Sequence, residues 1–168
     1  MVNLLSRIGR HVLATKRRLR RAFPDATLGR IEQAVHAGES LHDGEVRFAV
    51  EPELDWRSLL AGESARARAL EIFSLLQVWD TERNNGVLIY VLFADRDVEI
   101  VADRGFNGLV AEDEWRAICE AMRDAFARGQ YESGAVAGVA AVSALIARSH
   151  PASAGRGRNE LPDRPVML

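Results

Sequence analysis

Hydrophobic residues recur along this chain with two different periods, and each change of period marks an element. Between Leu28 and Ser40, the residues Ile31, Ala34 and Val35 fall three and four positions apart, the spacing of a helix with one buried face. Thr27 is placed to cap that helix. The Asp43-Gly44 pair turns the chain into Glu45–Glu51, where Val46, Phe48 and Val50 alternate with polar or small residues as in a strand that Pro52 ends. Residues 52–61 read as a loop. From Gly62 to Val78 the helical period returns through Ala65, Ala69, Ile72, Phe73 and Leu76.

Gly86 to Ala94 is continuously apolar, as a strand covered on both faces requires. A tight turn at Asp95-Arg96 leads into a shorter strand, Val98–Ala102. Ala111 to Arg128 predicts a third core helix, with Glu112, Asp113 and Glu114 in the first turn, where the helix dipole favours carboxylates. Trp115, Ile118, Cys119, Met122 and Phe126 supply its buried side, and Gly129 stops it. Ser133 begins a Gly- and Ala-rich helix through Ile146. From residue 149 the Pro, Gly, Ser and Arg composition predicts a mobile tail.

This order implies an α/β fold: a layered α/β sandwich whose small mixed central sheet holds a parallel β-α-β unit and an antiparallel hairpin, flanked by helices. With the hairpin turn centred between Asp95 and Arg96, Asp103 lies across from Leu88 and Gly105 across from Gly86. The polar segments at the two ends of the hairpin therefore meet. The opposite end of the sheet, beyond the carboxyl ends of the parallel strands near Glu51, Asp95 and Asp97, is the more usual place for a ligand in open α/β sheets.

Charge divides the chain further. Residues 1–22 carry seven basic residues and no acid, whereas residues 23–148 carry 12 basic against 22 acidic. The organisation predicted is a basic amphipathic arm over 1–26, an α/β domain over 27–148 and the tail over 149–168. Leu4, Leu5, Ile8, Val12 and Leu19 recur at near-helical spacing in the arm. A basic arm on an acidic body can dock its apolar side on its own domain or contact an anionic membrane surface. Nucleic acid is the weakest partner class, because the arm has no aromatic residue apart from Phe23 on which bases would stack. No stretch approaches the roughly 20 apolar residues that span a bilayer, and no cleavable leader is evident. The expectation is a cytoplasmic protein, either free or peripheral at the inner face of the membrane.

Asp80, Glu82, Asn84, Asn85, Asp103 and Arg104 form the candidate ligand-binding set at the hairpin's polar end. Their oxygens are the hard donors that calcium or magnesium takes, with Asp80 and Asp103 the metal candidates. The spacing is not that of an EF-hand, whose sixth and twelfth positions would fall on Asn85 and Val91. The competing reading is a structural turn at Asn84-Asn85-Gly86 that needs unusual backbone angles and that Asp80 orients. His11, His36, His42 and His150 lack metal-ligand spacing and read as surface residues. Trp79 and Trp115 read as core or loop anchors, and exposure at Trp56 would mark it apart. Cys119 reads as buried filler, and a lone cysteine excludes an intrachain disulfide. No nucleophile elbow or phosphate-binding glycine loop is present.

The segments Arg68–Phe73, Val78–Val91 and Val98–Gly105 and the final Gly- and Ala-rich helix resemble a TPM domain over roughly residues 28–148, most specifically around Asn84-Asn85-Gly86-Val87. The resemblance implies an α/β sandwich. It also implies either an accessory or binding module for a protein partner, in membrane-associated assembly or maintenance, or a divalent-metal-dependent phosphatase of low activity. Phosphatase is the one enzyme class it suggests, and calcium binding occurs among similar proteins. The positions it carries over are Asp80, Asn84, Asn85, Gly86, Asp103 and Gly105, with no catalytic role attached.

Overall fold

The computed structural model describes residues 4–153 and 159–168. Its elements run α1 (Leu4–Leu13), α2 (Lys16–Ala22), α3 (Asp25–Glu39), β1 (Glu45–Glu51), α4 (Trp56–Leu60), α5 (Ala65–Leu75), β2 (Gly86–Leu92), β3 (Asp97–Ala102), α6 (Glu112–Ala127), α7 (Tyr131–Ser149) and β4 (Val166–Met167). The strands lie in the order β3-β2-β1-β4, with β1 parallel to β2 and to β4, and β2 antiparallel to β3. This is the mixed α/β sheet flanked by helices that the chain's periodicity predicts.

Period-2 alternation explains the layers. Val87, Ile89 and Val91 of β2 face a core shared with α3, α6 and α7, whereas Leu88, Tyr90 and Leu92 face Ala65, Ala69 and Ile72 of α5. Every residue of β2 is buried, which accounts for its unbroken apolar run. Close approach of α7 to α6 depends on small residues: an added Cβ at Gly138 would stand 2.2 Å from Met122 Sδ. The edge strand β3 is closed to further pairing, because Arg66 donates to Ile100 O (2.5 Å) and Arg123 to Val98 O (2.7 Å).

Several local expectations give way. Thr27 does not cap α3; it lies buried within it and donates its hydroxyl to Glu132 (2.8 Å), while Pro24 occupies the cap position. The stretch 52–61 contains α4, whose cap Asp55 accepts from the amides of Arg57 and Ser58. Five residues are too few to display a period. The last helix starts at Tyr131 rather than Ser133, with Gln130 at its cap. The hairpin pairs Leu92 with Asp97, so its turn is centred one residue earlier than the sequence suggests. The partners are thereby displaced by two positions, which leaves each side chain on its expected face.

The C-terminal stretch also departs from a mobile tail. Val166 and Met167 pair with Ala49 and Val50, and Leu161 is buried in the α5-side core. Arg47 donates to the carbonyls of Pro162 and Arg164 (2.5 and 2.6 Å), and Glu45 accepts from the Leu161 amide (3.1 Å). The chain end is held by strand edges and carboxylates rather than by an apolar period, so periodicity could not reveal it. Residues 154–158 of the predicted tail lie outside the described residues.

Candidate functional site

The polar ends of the hairpin do meet. Asp103 donates its amide to Gly86 O (2.9 Å), the Gly105 amide reaches Asn84 O (2.9 Å), and Arg104 Nε donates to Asn84 Oδ1 (2.9 Å). Asp103 is therefore across from Gly86 and not from Leu88. Asn84 takes the left-handed conformation at φ 52°, one of the unusual angles that the turn reading required.

The other members are turned to different tasks. Asn85 is buried, with its amide on Thr81 Oγ1 (3.0 Å) and its side-chain nitrogen on Asp43 O. Asp43 itself pairs with Arg83. The Glu82 amide donates to Glu160, and Asp80 is exposed with its amide on Gln77 O (2.9 Å). Asp103 Oδ1 accepts from the Arg104 amide (2.7 Å), while Asp103 Oδ2 and Asn85 Oδ1 are buried with no donor among the described residues. No three Asp, Glu, His or Cys side chains come together as metal ligands among the described residues.

Denser chemistry gathers at the carboxyl ends of β1 and β2. Glu51 accepts two hydrogen bonds from Arg68 (3.0 and 2.8 Å) and a third from the Tyr90 hydroxyl (2.5 Å). Burial, reinforced by the neighbouring Glu51, pushes the Tyr90 phenol far above its ordinary range. Its hydrogen bond with Glu51 holds Arg68 protonated. Both groups are thus locked in one ionisation state. Asp97 is paired with Arg123 (2.6 Å).

Asp95 holds the N-terminal helix. Arg7 Nε and Arg10 donate to its two oxygens (2.9 and 2.8 Å), His11 Nε2 lies 3.2 Å away, and His11 Nδ1 accepts from the Leu54 amide (3.1 Å). Burial pushes the Asp95 carboxyl up, but the hydrogen bonds from Arg10, Arg7 and His11 outweigh it and hold the pKa below the usual value. Within the arm, α1 therefore docks through its basic side and its half-buried Ile8, whereas the apolar docking holds for Leu19 of α2. Leu5, Val12 and Leu13 are 75%, 72% and 61% exposed. The side chain of Leu4 lies outside the described part, and Leu19, in α2, enters the core with Phe23.

A carboxyl whose folded pKa is depressed stabilises above its unfolded value, near 3.9, and loses that contribution as pH falls through the folded value. Asp95→Asn is accordingly expected to loosen α1 by about 1–2 kcal/mol at pH 7, allowing for the exposure of Arg10. Hydrogen exchange should quicken roughly tenfold within α1 and stay unchanged in β2. Uniform exchange across variant and parent would show that these ion pairs do not hold the helix.

Other side chains occupy places that the sequence concealed. His11 and His42 are buried, contrary to the surface reading, because each is consumed by backbone: His11 by the Leu54 amide and His42 by Gly44 O (3.1 Å). Trp115 is in the core, but Trp79 is half exposed and anchors no core. Trp56 is exposed at 66% with the Arg57 guanidinium over its ring. Cys119 is buried, and burial pushes its thiol up to about 11.

The family model described as the TPM domain matches residues 15–145, beginning at the residue that caps α2. The fold is similar to the NMR structure of the BA42 protein from the psychrophilic bacterium Bizionia argentinensis, with a TM-score of 0.74 and 26% identity over 85% of this chain and 93% of that one. No curated protein matches the chain.

Proposed function

The chain belongs to the TPM domain family, and from that starting point we propose that it is an accessory binding module that works against an anionic membrane surface. One observation carries this reading: α1 spends Arg7, Arg10 and His11 on Asp95 and leaves its apolar edge, Leu5, Val12 and Leu13, facing outward. Lys16, Arg17 and Arg20 are exposed on α2, next along the chain. An exposed apolar edge followed by cations suits the boundary between acyl chains and anionic headgroups. Among the described residues no helix is long and apolar enough to cross a membrane, so contact of this kind lies along the surface. The acidic body remains free to engage a protein partner in membrane-associated assembly or maintenance.

Removing residues 1–22 would also remove Leu19 from the core, so the decisive variant is Leu5→Glu with Val12→Glu. Co-sedimentation with phosphatidylglycerol vesicles is expected to weaken about tenfold in that variant, since two exposed apolar side chains that would enter the bilayer interface become charged. Equal sedimentation of variant and parent would remove the reading.

A second reading, metal-assisted phosphoryl hydrolysis, is favoured by the buried Asp103 Oδ2 that has no donor among the described residues. Asp80 and Asp103 would hold the cation, which would polarise a phosphoryl oxygen and activate water. It is the weaker reading, because no third carboxylate or histidine joins them among the described residues. On this reading calcium or magnesium gives a saturable calorimetric signal that Asp103→Asn reduces by about tenfold or more. Heats of dilution alone in the parent protein would dispose of it.

A further inference from the structure

Between α2, the β2–β3 turn and the start of α7 lies a cleft of about 990 Å³ whose rim carries Arg10, Arg18, Arg21 and Arg96. We propose that this cleft binds the headgroup of an anionic phospholipid, with the phosphate held between Arg18, Arg21 and Arg96. The proposal rests on the membrane reading above for the source of its ligand, and it adds a discrete headgroup site to what that reading leaves as surface adsorption.

Charge in the cleft is unbalanced in the required direction. Two acids line it, and both are already engaged: Asp95 by Arg7, Arg10 and His11, and Glu132 by Arg30 (3.2 Å) and the Thr27 hydroxyl. Arg18 donates only to the Leu13 carbonyl (3.2 Å), and neither Arg21 nor Arg96 has an ion-pair partner among the described residues. Three guanidinium groups therefore face one cavity without a carboxylate of their own. Their planar forks suit phosphate oxygens better than the point charge of lysine does.

Backbone geometry points the same way. Arg96 closes the hairpin turn at φ 52°, a left-handed position where glycine or asparagine would sit without steric cost. The turn holds Arg96 in the lining of the cleft, beside the arginines of α2. The helix α7 opens on the same cleft at Gly129 and Tyr131, and no side chain caps its first amides, so its dipole adds to the attraction for an anion. Apolar residues, Ala14, Ala22, Phe93 and Tyr131, also line the cleft. A charged group on an apolar stem fits both halves, and the exposed edge of α1 begins at Leu13, on the cleft rim.

The probe is dihexanoyl-phosphatidylglycerol below its micelle concentration, titrated into the full chain. Saturable binding is expected, about tenfold tighter than for dihexanoyl-phosphatidylcholine and about tenfold tighter than in an Arg21→Gln, Arg96→Asn variant. Both positions are exposed and asparagine tolerates the left-handed angle, so the variant should keep the parent's circular dichroism. Absence of saturable binding, equal affinity for the two lipids, or equal affinity of variant and parent overturns the proposal. Inorganic phosphate competing as effectively as the lipid also overturns it, by making the cleft a site for free phosphate. The two levels fail separately. Vesicle binding that survives Leu5→Glu, Val12→Glu while the short-chain lipid still binds removes the apolar-edge reading and leaves the cleft; vesicle binding lost in that variant with no short-chain binding in the parent removes the cleft alone.

Discussion

Arg68→Ala should destabilise the protein by about 3–5 kcal/mol, the cost of removing one partner from a largely buried pair. Glu51 closes β1 at the carboxyl end of the sheet, with its carboxylate beneath the Arg68 guanidinium and its remaining hydrogen bond from Tyr90. Glu51 is 9% exposed at its side chain and Tyr90 is fully buried, so water cannot replace the arginine without opening the α5-side core. Urea unfolding at pH 7 checks the expected loss. A midpoint within 0.2 M of the parent at pH 7, by an order-of-magnitude conversion with the usual urea slope, would mean that Arg68 is held by Glu71 at the surface and contributes little to Glu51.

What the chain's pattern revealed was its periodic part. The alternation in Glu45–Glu51, the unbroken run of β2 and the faces of α5 and α6 all follow from apolar burial, and burial is what hydropathy records. The elements it concealed are held by polar contacts. The β4 strand is fixed by its pairing to β1 and by Arg47, and α4 by its Asp55 cap. In α1 the helix was legible from its period, but the period left open what its apolar side meets, and Asp95 took the basic side. The uneven charge count of the arm and the body was the signal that could have found it. The same uneven count leads to Arg18 and Arg21 in the cleft, but Arg96 lies outside the arm, and only the hairpin's turn brings it there.

The polar patch at the other end of the sheet was legible because a two-residue error in register does not separate strands that share a hairpin. Its finer chemistry was not legible. Asp80, Glu82 and Asn85 are close in sequence, yet the Glu82 backbone amide donates to Glu160 and the Asn85 side chain to the Asp43 carbonyl, partners distant along the chain. Spacing specifies which residues are neighbours on a loop, whereas the direction of each side chain is set by what packs beside it.

Gly86→Ala is expected to cost about 3 kcal/mol or more, because the added methyl group would meet backbone rather than a side chain that can swing away. A Cβ at this position would lie 2.0 Å from Val78 O, and Gly86 is simultaneously fixed by its pairing with Glu45 and by the Asp103 amide. Relief therefore requires the Val78–Asn85 segment to move as a unit. That movement would also strain the contact of Gly105 with Asn84, where an added Cβ would already stand 2.3 Å from Asn84 O. The glycine in the chain's most family-specific segment is thus explained by close backbone approach, and the turn's left-handed angle falls on Asn84. Gly9→Ala serves as the control: nothing lies within 4 Å of its Cβ and it sits inside α1, so a gain of about 0.5–1 kcal/mol in helix stability is expected. Urea midpoints measured at unchanged slope distinguish the two substitutions. If Gly86→Ala leaves the midpoint where Gly9→Ala does, the Val78–Asn85 loop is free to shift, and its pairing with Gly105 cannot be what positions Asp80 and Asp103.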